Sequence, residues 1–274
     1  MDGNCVYTGM LVDFNNQDCL VVERKHKICS LLCINTRTRI DDVCYDDLNP
    51  ITGEVSQYNK WVRSNMSNRG HRNLLFVKNA GVDWDFKDGS RVWFTSDTHF
   101  YHDNILNFCD RPFENVEIMN ERLIEEWNNR IDPEDHVFHL GDFCWGGSNK
   151  WIPILQRLNG HIHLIVGNHD VKNLRSQHLD YFESVSFQQQ ITVEGRKIYL
   201  NHYPFLTYGG IYRKDKIWQL FGHVHSKDNY TGSDAERLNH LLPTQYDVGV
   251  DKNNYRPINF HEVRDIIDKQ TLQS

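Results

Sequence analysis

No stretch of this 274-residue chain approaches the roughly eighteen consecutive apolar residues of a membrane span, so none is expected. The opening MDGNCVYTGM carries an acid where a secretory signal carries positive charge, and no long apolar core follows; the expected location is the cytoplasm. The seven cysteines, an odd number, have no regular spacing. Reduced thiols are therefore expected rather than a disulfide framework. Cys29 and Cys33, with His26 before and Cys44 after, match no common zinc module and are read as buried free thiols. Internal repeats and low-complexity segments are absent, which excludes solenoids. An excess of basic residues is absent too. The net charge of −7 argues against a dedicated nucleic-acid binder. Locally it is acid that is missing. Between Val55 and Val82 there is none, while Lys60, Arg63, Arg69, Arg72 and Lys78 interleave with Tyr58, Trp61 and Phe76. That mixture suits phosphate backbones and stacked bases, or else a solvated basic helix.

The chain divides by flavour. Residues 1–90 hold five of the seven cysteines and read as a small, β-rich N-terminal extension or module, with short strands at Tyr7 to Val12, Cys19 to Arg24 and Ile28 to Ile34. A helix is expected around Val55 to Ser67 and a strand at Leu74 to Val77. Residues 91–274 form a regular α/β pattern. Asn115 to Asn129 places Val116, Met119, Leu123, Ile124 and Trp127 on one helical face. Trp151 to Leu158 reads as a second helix. Val185 to Val193 and Lys197 to Leu200 read as a hairpin across Glu194-Gly195. Asn259 with Glu262 three residues on predicts a capped final helix.

Five apolar strand candidates in this region each end in residues of metal-ligand type. Val92-Trp93-Phe94 leads to Asp97-Thr98-His99. Val137 to Leu140 leads to Gly141-Asp142, and His163 to Val166 leads to Gly167-Asn168-His169-Asp170. Lys197 to Leu200 leads to His202, and Ile217 to Phe221 leads to Gly222-His223-Val224-His225. Residues two apart on a strand share a face, so His223 and His225 are expected to project together, with Gly222 turning the backbone. Such ends converge when the strands lie side by side in one α/β sheet. The set Asp97, His99, Asp142, Asn168, His202, His223 and His225 has oxygen and nitrogen donors and no thiolate. It is too large for one tetrahedral zinc and suits two divalent ions, with Asp142 able to bridge them. Two such ions carry four positive charges; two carboxylates and a hydroxide leave about one, enough to attract a phosphate. His136, His139 and the pair His161 and His163 are read as structural.

These five motifs together resemble the signature of the calcineurin-like metallophosphoesterases over about residues 91–270. The closing Val248-Gly249-Val250-Asp251 and Arg256-Pro257 resemble small bacterial and phage-type members. The resemblance implies a four-layer α/β/β/α sandwich with two metals at one edge. It implies that Asp97, His99 and His225 hold the first metal, that Asn168, His202 and His223 hold the second, and that Asp142 bridges. It further implies a metal-bridging hydroxide as nucleophile and His169 as general acid, with Asp170 orienting it. His102 and Asn104 are candidate substrate contacts. Manganese is the expected ion, with iron, zinc or nickel as alternatives.

The expected function is therefore phosphoester hydrolysis, foremost of a phosphodiester in a nucleotide, cyclic nucleotide or nucleic acid. A phosphomonoesterase or protein phosphatase is the alternative. The stretch from Gly141 to Gly146 lacks the arginine of the Ser/Thr protein phosphatases, although Arg72 or Arg213 could reach the site from elsewhere. A non-catalytic scaffold ranks last, because all seven ligand positions and His169 are present.

Overall fold

The computed structural model describes residues 11–24, 28–33, 38–50, 77–208, 217–227 and 234–273. The expected helix at Val55 to Ser67, most of the basic aromatic stretch, His26, Arg72 and Arg213 lie outside them. The chain divides into two compact units, residues 1–76 and 77–274.

The smaller unit is an antiparallel sheet. Strands β1 (Leu11–Phe14), β2 (Gln17–Arg24), β3 (Ile28–Cys33), β4 (Arg39–Cys44) and β5 (Asn49–Pro50) run in the order β4-β3-β2-β1-β5. Asn15 and Asn16, both with positive φ, make the tight turn between β1 and β2. Alternation drives one face inward: Cys19 and Val21 of β2 and Cys29, Leu31 and Cys33 of β3 are buried together. Cys29 and Cys33 are buried free thiols, as expected.

The larger unit is mixed α/β and contains two five-stranded sheets. The first has the order β10-β9-β8-β7-β15, from β7 (Val92–Thr95), β8 (His136–His139), β9 (His161–Ile165), β10 (Ser184–Ser186) and β15 (Ile258–Asn259). All neighbours are parallel except β15 against β7. The second has the order β14-β13-β12-β11-β6, from β6 (Trp84–Phe86), β11 (Gln188–Val193), β12 (Arg196–Asn201), β13 (Ile217–Phe221) and β14 (Gln245–Asp247). The expected single strand at Val185 to Val193 is thus two strands. It changes sheet at Phe187, so its first part pairs with β9 and its second with β12.

One apolar core joins the sheets. Phe94, Phe138, Leu140 and Ile165 from the first meet Ile191, Ile198, Leu200, Trp218 and Leu220 from the second, with Phe260, Val263 and Ile267 of the C-terminal helix. Period-two alternation sends the neighbouring residues of β8 the other way. There the ring of His139 stacks near Trp127 of helix α2 (Val116–Asn128), 6.4 Å between centroids. Two short helices, α1 (Ile105–Phe108) and α4 (Asp170–Asn173), follow strand ends, and α3 (Ser148–Leu155) begins earlier than its apolar pattern suggests. Short α5 (Ala235–Leu238) precedes β14. Helix α6 (Phe260–Gln273) opens as expected, with Glu262 accepting from the Asn259 N–H at 2.9 Å.

His136, His161 and His163 stack at the start of β8 and along β9, away from the ligand-bearing strand ends. His163 is fully buried, bonded to Ser184 Oγ at 2.8 Å and His136 Nδ1 at 3.0 Å, and burial drives its pKa down to about 2. The native state therefore leaves this ring neutral where the unfolded chain protonates it, so its contribution to stability is complete above about pH 6.5 and is lost as pH falls below that. Relative to a His163→Gln variant, the wild type should lose about 2 kcal/mol between pH 7 and pH 5 in urea unfolding. The comparison cancels the other histidines. A constant difference between the two proteins across that range would show that His163 is not held neutral.

Candidate metal centre

The seven expected ligand residues come from both sheets rather than one. Asp97, His99, Asp142 and Asn168 follow β7, β8 and β9, whereas His202, His223 and His225 follow β12 and β13. Backbone bonds sew the loops together. Asp97 N–H donates to Gly141 O at 2.9 Å, His99 N–H to Asp142 O at 3.0 Å and Gly222 N–H to His202 O at 3.0 Å. The loops are strained. Asp97, His99, Asp142, His223 and His225 have φ of 57°, 49°, 56°, 71° and 49°. Each such non-glycine conformation costs roughly 1–2 kcal/mol, and residues held this way cluster at functional sites.

His223 and His225 lie beyond the end of β13 and do not share a face. His223 joins Asp142 and His202, and His225 joins Asp97 and His99; each trio has ligand atoms within 4.8 Å of one another. Gly222 is required for space rather than for a turn. A Cβ there would lie 2.0 Å from Ser96 Oγ and 2.3 Å from Asp97 Oδ2. Gly167 is similar, with Asp142 Oδ1 2.3 Å from its would-be Cβ.

Asp142 stands at the middle. Its Oδ2 faces three imidazole Nε2 atoms: His202 at 3.5 Å, His99 at 3.6 Å and His169 at 3.8 Å. Asp97 Oδ1 lies 3.7 Å from His225 Nε2 and 3.9 Å from His99 Nε2. Asn168 Oδ1 is 3.0 Å from His202 Nε2. Two atoms in this group, Asp97 Oδ1 and His99 Nε2, are buried without a hydrogen-bond partner. Leaving such atoms unmatched costs about 1–3 kcal/mol each or more, and a cation between them would satisfy both. The donor set thus fits two divalent ions.

The ring charges fit the same picture. Burial pushes the His99 pKa well below its ordinary value, and the neighbouring charges of His225 and Arg111 push it further. Burial also opposes charge on His202, but the close approach of the Asp142 carboxylate, 3.5 Å away, and the charge of Asp97 outweigh this and hold it at about 9. His225 is raised in the same way by Asp97 and Asp251, against burial. Protons therefore compete with any metal for His202 and His225.

Other expected site residues fall in different places. His169 is partly exposed at the start of α4 with its ring 5.2 Å from that of His99. Asp170 is buried beneath it and does not engage its imidazole through the bonds observed. Its carboxylate accepts backbone N–H groups of Asp142 at 2.7 Å, Phe143 at 2.9 Å and Gly167 at 2.9 Å, bracing two ligand loops. Burial and the Asp142 charge raise its pKa to about 7. His102 is buried beside the cluster, 5.4 Å from the His99 ring, with Nδ1 unpartnered. Asn104 is exposed ahead of α1, without a side-chain capping bond. Tyr203 stands half-exposed against the His223 ring at 4.6 Å, while Tyr208 is buried on Thr244.

Sequence reasoning missed three participants. Trp145 packs its ring 4.4 Å from His102 and 5.3 Å from His169. Arg111 and Asp251 form a fully buried ion pair at 2.7 Å behind His225. Burial raises the Asp251 carboxyl, but Arg111 and the bond from His225 outweigh it and hold it at about 2. The Val250-Asp251 motif was visible in the sequence, but nothing local linked it to Arg111.

Known proteins resemble this chain over the same region. The calcineurin-like phosphoesterase profile matches residues 90–261. The uncharacterized protein MJ1445 of Methanocaldococcus jannaschii is 32% identical over 183 residues, covering 65% of this chain and 92% of its own. The gene 66 protein of Mycobacterium phage D29 is 27% identical over 187 residues, covering 59% of this chain and 88% of its own. The crystal structure of a protein of unknown function, AQ665 from Aquifex aeolicus, superposes with a TM-score of 0.50 at 28% identity, covering 64% of this chain and 98% of that one. With three of its five strand-end motifs in one sheet, two in the other, and a family profile spanning both, the chain belongs to the calcineurin-like phosphoesterase family.

Proposed function

We propose that this protein is a dimetal phosphodiesterase acting on a nucleotide, cyclic nucleotide or nucleic acid. The observation that carries the reading is the central carboxylate of Asp142, its Oδ2 faced by three imidazole Nε2 atoms within 3.8 Å. Asp97, His99 and His225 would hold one ion, Asn168, His202 and His223 the other, and Asp142 both. Oxygen and nitrogen donors without thiolate make manganese the first choice. When bound, two such ions supply positive charge for the phosphoryl group and a water nucleophile active at neutral pH.

The chain's own groups do the rest. The Nε2–H of His169, at the partly exposed end of the cluster, protonates the leaving oxygen. Asp170 acts one step behind, holding the loops of Asp142 and Gly167 at fixed spacing. His102 offers a buried, unsatisfied Nδ1 on the same side. Apolar surface stands on both flanks. Trp145, 43% exposed, lies beside His169, and Tyr203, 45% exposed, lies beside His223. A cavity of about 420 Å³ lined by Tyr203, Phe205, Leu206, Leu238 and Leu241 adjoins His223. Two flanks of this kind suit the two organic arms of a diester. Arg111, which a monoester dianion would want, is buried and committed to Asp251. Of the basic stretch, Lys78 is structural, bonding the Leu179 and Phe182 carbonyls.

Metal-stripped protein refilled with Mn²⁺ should cleave bis-p-nitrophenyl phosphate faster than p-nitrophenyl phosphate, and His223→Ala should abolish this turnover. Preference for the monoester would make the protein a phosphomonoesterase. No turnover of either with both ions bound would overturn the generic-esterase reading and leave a selective enzyme or a scaffold.

His169→Ala separates the proton donor from the metal site. A leaving p-nitrophenolate is stable without a proton, whereas a leaving alkoxide is not. The variant should lose on the order of 10²-fold or more in kcat with an alkyl ester and much less with the aryl ester. Equal losses on the two substrates would remove His169 from the donor role.

A further inference from the structure

Behind the cluster lies an arrangement that the phosphoesterase reading does not use. Arg111, which follows α1, has a side chain with no exposure, and so has Asp251, 140 residues away. The guanidinium grips the carboxylate with two bonds, Nε to Oδ1 at 2.9 Å and Nη2 to Oδ2 at 2.7 Å. The same guanidinium donates to the Asp97 carbonyl at 2.7 Å and to the Thr98 carbonyl at 3.0 Å. On its other side, Asp251 Oδ2 lies 2.7 Å from His225 Nδ1. The opposite nitrogen of that ring, Nε2, faces Asp97 Oδ1 at 3.7 Å.

The geometry points to Arg111 and Asp251 as a positioning pair for one of the two metal sites, that of Asp97, His99 and His225. This rests on the reading of those three residues as a metal site. An ionised carboxylate can only accept, so His225 must donate Nδ1–H to Asp251. That fixes the tautomer and leaves the Nε2 lone pair pointing at Asp97, where a cation needs it. Arg111 holds the carboxylate in place and, through two carbonyls, holds the left-handed loop that carries Asp97 and His99. One buried guanidinium thus sets a ligand's tautomer and the position of its two companions.

Two alternatives are weaker. A buried ion pair kept for stability alone is a poor device, since desolvation consumes most of its attraction. A separate cation held by Cys109, His225 and Asp251, whose ligand atoms also lie within 4.8 Å, would sit against the guanidinium that occupies both Asp251 oxygens.

The second site is backed differently. His202 Nδ1 meets only the neutral backbone carbonyl of Leu140, at 2.8 Å. The pair should therefore act on one ion and not the other. The test is metal titration of stripped full-length protein with Mn²⁺ against a chelator dye, with total metal counted by atomic absorption. Wild type should take two ions. Asp251→Asn should keep one at wild-type affinity and weaken the other by about 10–100-fold. Long-range ¹H–¹⁵N spectra of the stripped proteins add a readout that a merely structural role would not move. At a pH alkaline enough to leave the ring neutral, His225 should be protonated at Nδ1 alone in wild type and a tautomer mixture in the variant. If Asp251→Asn folds poorly, Arg111→Lys, which keeps the charge but loses the two-bond grip, should weaken the same single ion. Equal weakening of both ions, or two ions held as tightly as in wild type, would overturn the positioning role while leaving the metal reading intact. A wild type that takes up no metal would overturn both.

Discussion

Everything around this site answers to one electrostatic constraint: two buried carboxylates and several imidazoles must be held within about 4 Å of one another without neutralising each other through direct bonds. Ordinary folding would collapse such groups into hydrogen-bonded pairs. Here Asp142 Oδ2 and the Nε2 atoms of His99, His169 and His202 stay 3.5 Å or more apart, too far for a good hydrogen bond. The protein achieves this by satisfying the back of each group instead of its front. Asp142 Oδ1 takes the His169 N–H at 2.8 Å, Asp97 Oδ2 takes the His223 N–H at 2.9 Å, and His202 Nδ1 meets the Leu140 carbonyl. What remains unsatisfied points inward to a common volume.

The two-sheet architecture makes that possible. A single row of strand ends would present its residues along a line. Two sheets sharing an apolar core bring their carboxyl ends together from opposite sides, so β7, β8 and β9 face β12 and β13 across the cluster. The approach is close enough that Gly167 and Gly222 have no room for a Cβ. The left-handed residues then re-aim side chains that a continuing strand would point along its own faces. Asp170, accepting from three backbone N–H groups, braces the loops that hold this geometry.

The legibility of the site in the sequence follows from this division between local and distant. Each strand-end motif is local: an apolar run, then a glycine, serine or asparagine, then a ligand-type residue. Five such runs were readable, and so was the capped helix from Asn259. What failed were inferences that needed a third dimension. The i and i+2 rule assumed that β13 continued through His225, whereas it ends at Phe221 and the two histidines part. Val185 to Val193 reads as one strand because no turn residue interrupts it, yet the chain passes from one sheet to the other at Phe187. Asp170 was paired with its neighbour His169, because sequence adjacency hid the backbone donors contributed by the Asp142 loop. Arg111 and Asp251 were invisible as a pair for the same reason, with 140 residues between them.

The backing of the two trios differs in kind, and that difference follows from where each sheet contributes. His225 is the last of the proposed ligands in the chain and touches the loop after β14, which supplies Asp251 and, through Val250 N–H to Ser96 O at 3.0 Å, is tied to the end of β7. His202 follows β12, next to the end of β8, where a backbone carbonyl is the acceptor that its Nδ1 meets. A carboxylate raises the basicity of an imidazole ligand more than a neutral carbonyl does. A site built with one charged and one neutral support is therefore built with two unequal halves, although the ligand types at its front are nearly matched. Front-side chemistry alone would describe it as symmetric; the groups behind the rings make it otherwise.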